Sequence, residues 1–258
     1  MTSTAKWLSL AAVLSLMTVG AHAVDWNAYP EFPASSGLPG NGFGVLPDGK
    51  VGFGGEFNIA VPCAYTPSLG NVAAVYISGS HDSKPRLQFG GEETDGTGLI
   101  GVGLGRPGHS VYASEVWVQK SLSVKCINLQ WQVLEQREEN PALAIGVFDA
   151  FDEREEYLSV PHGARSFYAV ASKQQEFAGR PGFASVGYGS GKFGDRPFGA
   201  VSWYPTPNIN LGFEYDGRMA TPHLAVGMRS GGAWSADALI AWSNFERPAL
   251  GFGLTFSH

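Results

Sequence analysis

The chain closes with Pro248-Ala249-Leu250-Gly251-Phe252-Gly253-Leu254-Thr255-Phe256-Ser257-His258. Large apolar side chains stand at every second place, at Leu250, Phe252, Leu254 and Phe256. Between them lie only Gly251, Gly253, Thr255 and Ser257. A period of two is that of a β-strand, here with one apolar face and one small or polar face. A short lone strand of this kind needs neighbours on both sides to satisfy its backbone. The question is whether the sequence supplies them.

Working back from the C-terminus, strand-like runs follow one another with very short links. They lie near 198–204, 208–216, 221–229, 234–243 and 249–257. Pro205-Thr206-Pro207, Asp216-Gly217 and Ser230-Gly231-Gly232 supply the turns. Short links join antiparallel neighbours. Ile209, Leu211, Phe213 and Tyr215 oppose Asn210, Glu214 and Asp216. Leu224, Val226 and Met228 oppose His223 and Arg229, and Ile127, Leu129, Trp131 and Val133 oppose Cys126, Asn128, Gln130 and Gln132. Further upstream, Val51, Phe53, Phe57, Ile59 and Val61 share a face against Glu56 and Asn58, which predicts another strand after the Asp48-Gly49 turn. About fifteen such runs lie between Asn41 and Ser257. A closed antiparallel sheet with both ends on one side needs an even number, so 12 to 14 strands are expected.

The N-terminus reads as an export signal over residues 1–23. Lys6 gives the positive end, Trp7 to Val19 the short apolar core, and Ala21-His22-Ala23 the small-x-small cleavage site. Residues 24–40 carry Pro30, Pro33 and Pro39 and read as an irregular lead-in. Residues 41–258 form the β-domain. After the signal no apolar run reaches the length of a transmembrane helix. Charged residues make up 16%, against roughly 25% in ordinary soluble domains, and 35 of 258 residues are Gly. The net charge is −6, and −7 once the signal with its single Lys6 is removed, which argues against nucleic acid as a partner.

Trp234 and Trp242 lie on one face with Ala236, Ala238 and Ile240 between them. Eight residues span about 27 Å of strand, or roughly 20 Å along the normal at a tilt of about 40°. That is close to the roughly 25 Å apolar band of a transmembrane barrel. The expected fold is therefore an all-β, antiparallel, up-and-down transmembrane β-barrel in the outer membrane. Trp203, Tyr204, Tyr215, Trp234, Trp242 and Phe256, together with Phe198, are expected as interface girdle residues. Glu56, Asn58, Asn210, Glu214, Asp216, His223 and Arg229 are expected to face the lumen, where charges either tune selectivity or pair and close the bore. The links Gly191–Pro197, Gly217–Met219, Asn244–Arg247 and 151–162 are expected on the outer side, all short. With no long constricting loop, inward side chains would shape any pore. A soluble sandwich would instead point the Trp234/Ile240/Trp242 face inward.

Three stretches carry a family resemblance. Ser36-Gly37-Leu38-Pro39-Gly40 with Leu46-Pro47-Asp48-Gly49-Lys50-Val51-Gly52-Phe53, then Phe167-Tyr168-Ala169-Val170-Ala171-Ser172-Lys173, then Gly187-Tyr188-Gly189-Ser190-Gly191 with Phe198-Gly199-Ala200-Val201 and Phe213-Glu214-Tyr215-Asp216-Gly217-Arg218, resemble the strands and turns of the YjbH-like outer-membrane proteins. The resemblance touches about half of the exported chain and lacks a catalytic signature. It implies residence in the outer membrane and a part in exopolysaccharide production or secretion. The partners it points to are outer-membrane lipid, the barrel-assembly machinery during insertion, and polysaccharide or its export apparatus.

No cofactor, metal or catalytic residue is expected. Gly189-Ser190-Gly191-Lys192-Phe193-Gly194 fits G-x-G-x-x-G, but a strand follows where a nucleotide site needs a helix. His81, His109, His162, His223 and His258 are too scattered for a zinc site. The acidic group Asp149, Asp152, Glu153, Glu155 and Glu156 lacks the EF-hand pattern. Cys63 and Cys126 could pair in an oxidising compartment. The function expected is non-enzymatic: envelope polysaccharide export or passive transport. Two alternatives stand beside it, an outer-membrane enzyme acting on lipid or lipopolysaccharide through a rim Ser–His pair, and a soluble periplasmic carbohydrate-binding β-domain.

Overall fold

The computed structural model describes residues 42–78, 80–81, 84–85, 96–118, 124–151, 165–217, 219–229, 233–243, 245 and 247–258. The proposed signal, its cleavage site and the 24–40 lead-in lie outside these residues, as do most of the acidic stretch and His162.

Twelve strands close into one antiparallel barrel. They are β1 (Val72–Ser78), β2 (Gly96–Leu104), β3 (Val111–Val118), β4 (Val124–Leu134), β5 (Ala142–Phe148), β6 (Ser166–Phe177), β7 (Arg180–Gly189), β8 (Arg196–Thr206), β9 (Ile209–Tyr215), β10 (Ala220–Arg229), β11 (Trp234–Ser243) and β12 (Arg247–Phe256). Each pairs with the next in sequence, and β12 pairs back onto β1 through Gly251↔Ile77 to Phe256↔Val72. Closure leaves no edge strand unpaired, which is the property a sheet needs in an apolar medium. The only helical element among the described residues is the 3-10 turn Gly191–Phe193.

The five C-terminal strands match the runs read from sequence, because the period-two alternation and the turn residues there agree. On β12, Ala249, Gly251, Gly253 and Thr255 face inward and are buried, while Phe252 and Leu254 are exposed. Trp234 is 52% exposed, and Ala236, Ala238, Ile240 and Trp242 share its outward face while Ser235, Asp237, Leu239 and Ala241 are buried. The outside carries Ile100, Val102, Trp131, Ile145, Val186, Val201, Leu211, Val226 and Leu254, all exposed. In water this wall-to-wall apolar surface would far exceed the few hundred Å² that soluble monomers leave uncovered.

One expected strand is not in the wall. Val51–Val61 alternates as read, yet both of its faces are buried: Val51, Phe53, Phe57, Ile59 and Val61 on one, Glu56 and Asn58 on the other. The segment 42–71 runs inside the barrel. Its regular structure is one two-residue pairing, Gly44–Val45 with Glu56–Phe57. Alternation reports two chemically different surroundings, and the two sides of a lumen provide them as well as lipid and water do.

Two further expectations change. The longest links, over 79–95 and 149–165, leave the same end of the barrel as 190–195, 216–219 and 244–246, so the links at that end are not uniformly short. Short turns close the other end, where Phe177 and Arg180 bracket a two-residue reversal with positive φ at Ala178 and Gly179.

Candidate functional site: a filled lumen

The lumen wall is built by alternate residues of the strands. Asn128, Gln130 and Gln132 come from β4, Ser172 from β6, Ser185 from β7, Ser202 and Tyr204 from β8, Asn210 and Glu214 from β9, Thr221 and His223 from β10, Ser235 and Asp237 from β11, and Thr255 from β12; all are buried. These polar groups are not left to water. Six of them, Gln130, Gln132, Ser172, Tyr204, Glu214 and Ser235, bond the backbone of residues 42–71, and Ser185 bonds the Glu56 side chain of that segment.

Glu214 makes the most concentrated contact. Its Oε1 accepts from Ile59 N at 2.7 Å, and its Oε2 accepts from Ala60 N at 2.8 Å and Val61 N at 2.9 Å. Hydrogen bonds to a charged acceptor contribute roughly 1.5–3 kcal/mol each. His223 Nδ1 lies 3.2 Å from Glu214 Oε1, close enough for an ion pair but poorly aligned for a hydrogen bond. Its Nε2 lies 3.2 Å from Asn210 Oδ1. Lys192, in the 190–195 link, donates Nζ to Ala60 O at 3.3 Å from the same end.

Further down, Gln130 Nε2 donates to Cys63 O (3.0 Å) and to Thr66 Oγ1 (2.8 Å). Ala64 N donates to Ser172 Oγ (2.7 Å) and Thr66 N to Gln132 Oε1 (3.0 Å). At the short-turn end Phe53 N donates to Ser235 Oγ (3.2 Å), Gly54 N donates to Tyr204 Oη (3.1 Å), and Tyr204 Oη donates to Gly55 O (2.6 Å). The segment thus touches the wall from β3 round to β12. Apolar side chains fill the remaining space: Phe43 edge-on to Tyr112, Phe53 to Tyr204, Tyr65 to Phe183, and Phe57 against the His223 ring. Burying each such ring contributes roughly 1.5–3 kcal/mol.

Glu56 is the exception to good pairing. Its Oε1 accepts from Ser185 Oγ and from Asn58 Nδ2, while its Oε2 is buried with no hydrogen-bond partner among the described residues. Burial pushes its carboxyl up to about 7; the bonds from Ser185 and Asn58 oppose that rise, and nearby Glu214 adds to it. Cys63 is buried, with Sγ 3.4 Å from Tyr65 O, and burial holds its thiol well above the usual range. The Cys126 side chain lies outside the described ones.

Of the expected lumen residues, Asn210, Glu214 and His223 form one cluster on β9 and β10, and Glu56 and Asn58 enter the lumen on the inner segment. Asp216 is buried just past the end of β9, where it accepts from Met219 N at 2.7 Å. The Arg229 side chain lies outside the described ones. Two expected girdle residues are corrected. Tyr204 is buried and holds the inner segment, since it adjoins the outward Trp203 and neighbours on a strand face opposite ways. Phe198 is buried and stacks on Phe193 at 4.4 Å. Tyr215, Trp234, Trp242 and Phe256 stand on the outer face, with Trp234 and Phe256 in contact at 4.9 Å. The sequence reading missed Gln130, Gln132, Ser172, Ser185, Ser235 and Lys192 as contacts of the inner segment. The first two were visible as the polar face of β4, but nothing in the sequence names what that face meets.

The G-x-G-x-x-G run forms the link between β7 and β8, with Lys192 and Phe193 buried beneath it. Among the described residues His223 turns inward onto Glu214 and Asn210 instead of pairing with a serine at the rim.

No protein-family model matches the chain, and no curated protein matches it. Among solved structures it is similar to the KdgM porin, at 6% identity over 73% of this chain and 99% of that one, with a TM-score of 0.48. It is similar also to the KdgM porin in complex with disordered oligogalacturonate (5%, 73% and 99%, TM-score 0.46) and to the Acinetobacter baumannii outer membrane protein Omp33 (11%, 73% and 97%, TM-score 0.39). At these identities and scores the likeness bears on no residue of this lumen.

Proposed function

We propose that this chain is a non-enzymatic outer-membrane β-barrel for passive passage of polar solutes, held closed by its own residues 42–71. The observation that carries the reading is the division of the wall. Outward positions are apolar all round, with Trp131, Phe177, Trp203, Trp234 and Phe256 toward one end and Phe167, Phe213, Tyr215, Trp242 and Phe245 toward the other. Inward positions are mixed: polar groups such as Gln130, Asn210, Glu214 and Asp237 alternate around the lumen with buried Phe183, Phe198 and Leu239. Aromatic rings at two levels with aliphatic residues between them match a hydrocarbon slab bounded by headgroups. Outer-membrane lipid and the barrel-assembly machinery are the partners this reading requires. Envelope polysaccharide as the cargo belongs to the same proposal and rests on the YjbH-like resemblance.

Fractionation with heat-modifiable gel mobility tests the location. The unheated protein should sit in the outer-membrane fraction and migrate faster than the boiled form. Lipids brominated at defined depths should quench Trp234 and Trp242 most strongly near the headgroups. A soluble periplasmic protein without a mobility shift would overturn the reading.

A further inference from the structure

The inner segment is bound to the wall unevenly. Around Ile59–Val61 the polar contacts each set a charge against a dipole of the right sign, from Glu214 and Lys192. Around Glu56 the opposite holds. A carboxyl on the segment itself is fully enclosed, with one oxygen unpartnered, and its hydrogen-bond donors are neutral: Asn58 on its own segment and Ser185 on β7. Ser172 on β6 bonds Ser185 beside it. The other titratable groups that bear on it are Glu214 on β9, which repels its charge, and Cys63 and Tyr65 on the returning arm of the segment. His223 on β10 faces Glu214 instead.

We propose that Glu56 makes closure of the barrel proton-linked: with the carboxyl neutral, residues 42–71 seat in the lumen, and its ionisation expels the segment and opens the bore. This rests on the barrel reading above. An ionised carboxylate without a cationic partner is costly to bury and regains its hydration only by leaving. Seated, Glu56 keeps its proton up to about 7, against the ordinary 4.5. The seated form therefore binds more protons between these values. Seating is strongest below about 4.5, weakens as pH rises, and reaches its full loss above about 7. The difference of about 2.5 units corresponds to a change of roughly 300-fold in the seating equilibrium.

The test uses the full exported chain refolded into liposomes and checked first for heat-modifiable mobility. Failure of that check at every pH overturns the barrel reading itself, separately from the proposal. Hydrogen exchange of peptides covering 51–66, corrected for intrinsic rates, reports seating whether or not the opened bore conducts. Planar-bilayer conductance in KCl reports opening. Wild type should lose roughly 75-fold of its protection between pH 5 and pH 9, most of it below about pH 7, with conductance rising over the same range. Glu56→Gln should remain protected and closed throughout. Ser185→Ala removes a bond that favours the ionised carboxyl, so it should move the transition to higher pH; it also serves if Glu56→Gln does not fold. An unchanged pH dependence in Glu56→Gln, or one abolished by His223→Asn but not by Glu56→Gln, would overturn the proposal. So would protection in wild type that is flat from pH 5 to pH 9, or a Ser185→Ala transition that stays in place.

Discussion

The imidazole of His223 occupies the space over Gly212, its register partner on β9. A Cβ built on Gly212 would stand 2.0 Å from His223 Cε1 and 2.2 Å from Nε2. The missing side chain is what lets the ring reach both Asn210 and Glu214, one on either side of Gly212 along the strand. The wall of the lumen and the latch on the inner segment therefore depend on one another.

Gly212→Ala should destabilise the folded barrel by roughly 1–3 kcal/mol, the usual cost of overpacking a buried site. Urea titration of the liposome-refolded protein checks this. Combining it with His223→Ala should recover part of the loss, because the clash disappears with the ring. Strict additivity of the two changes would contradict the packing described.

Glu214→Ala leaves three enclosed N–H groups, those of Ile59, Ala60 and Val61, without an acceptor. A cost of several kcal/mol is expected, at roughly 1–3 kcal/mol for each orphaned group. Exchange protection at 59–61 should fall far more than at the strands β11 and β12. Glu214→Gln keeps the shape and one carbonyl, so its loss should be smaller.

Gly227→Ala separates the filling of the lumen from its polar latch. Its Cβ would meet the Phe53 ring at 2.0 Å, on an inward position of β10 next to no charged contact of the inner segment. Protease cleavage within 42–71 should become faster, while heat-modifiable mobility of the barrel should persist. Loss of both together would mean that the segment is needed to hold the barrel.

Ala238→Arg places a charge on the outward face midway between Trp234 and Trp242. At the hydrocarbon midplane this should cost roughly 2–4 kcal/mol, falling toward zero for the same change near a headgroup level. Inward Asp237→Asn, one residue away, should leave insertion into liposomes nearly unchanged. Equal effects of the two would argue that β11 does not face lipid on its Trp234 side.

Much of the wall could be read from the sequence. Leu250 to Phe256, Trp234 to Trp242 and Ile209 to Tyr215 alternate cleanly, and turn residues separate them, so strand, face and antiparallel order followed from local chemistry. Twelve strands lie within the expected range because closure demands an even number. The polar residues Asn210, Glu214 and His223 were legible as inward-facing, since the apolar residues of their strands occupy the alternate, outward positions. What local pattern cannot contain is the occupant of the lumen. Val51–Val61 has the alternation of a wall strand. Its apolar side chains pack on Tyr204, Gly227 and His223, residues about 150 to 175 positions away. Apart from a two-residue pairing with Gly44–Val45 and a few local backbone bonds, its backbone is satisfied by single side chains of the wall. Whether Tyr204 anchors at a membrane surface or holds Gly54 and Gly55, and whether Glu56 meets water or an enclosed pair of serines, was settled only when the sheet closed around the segment. The period of the residues fixes which faces differ, and three-dimensional closure fixes what each face touches.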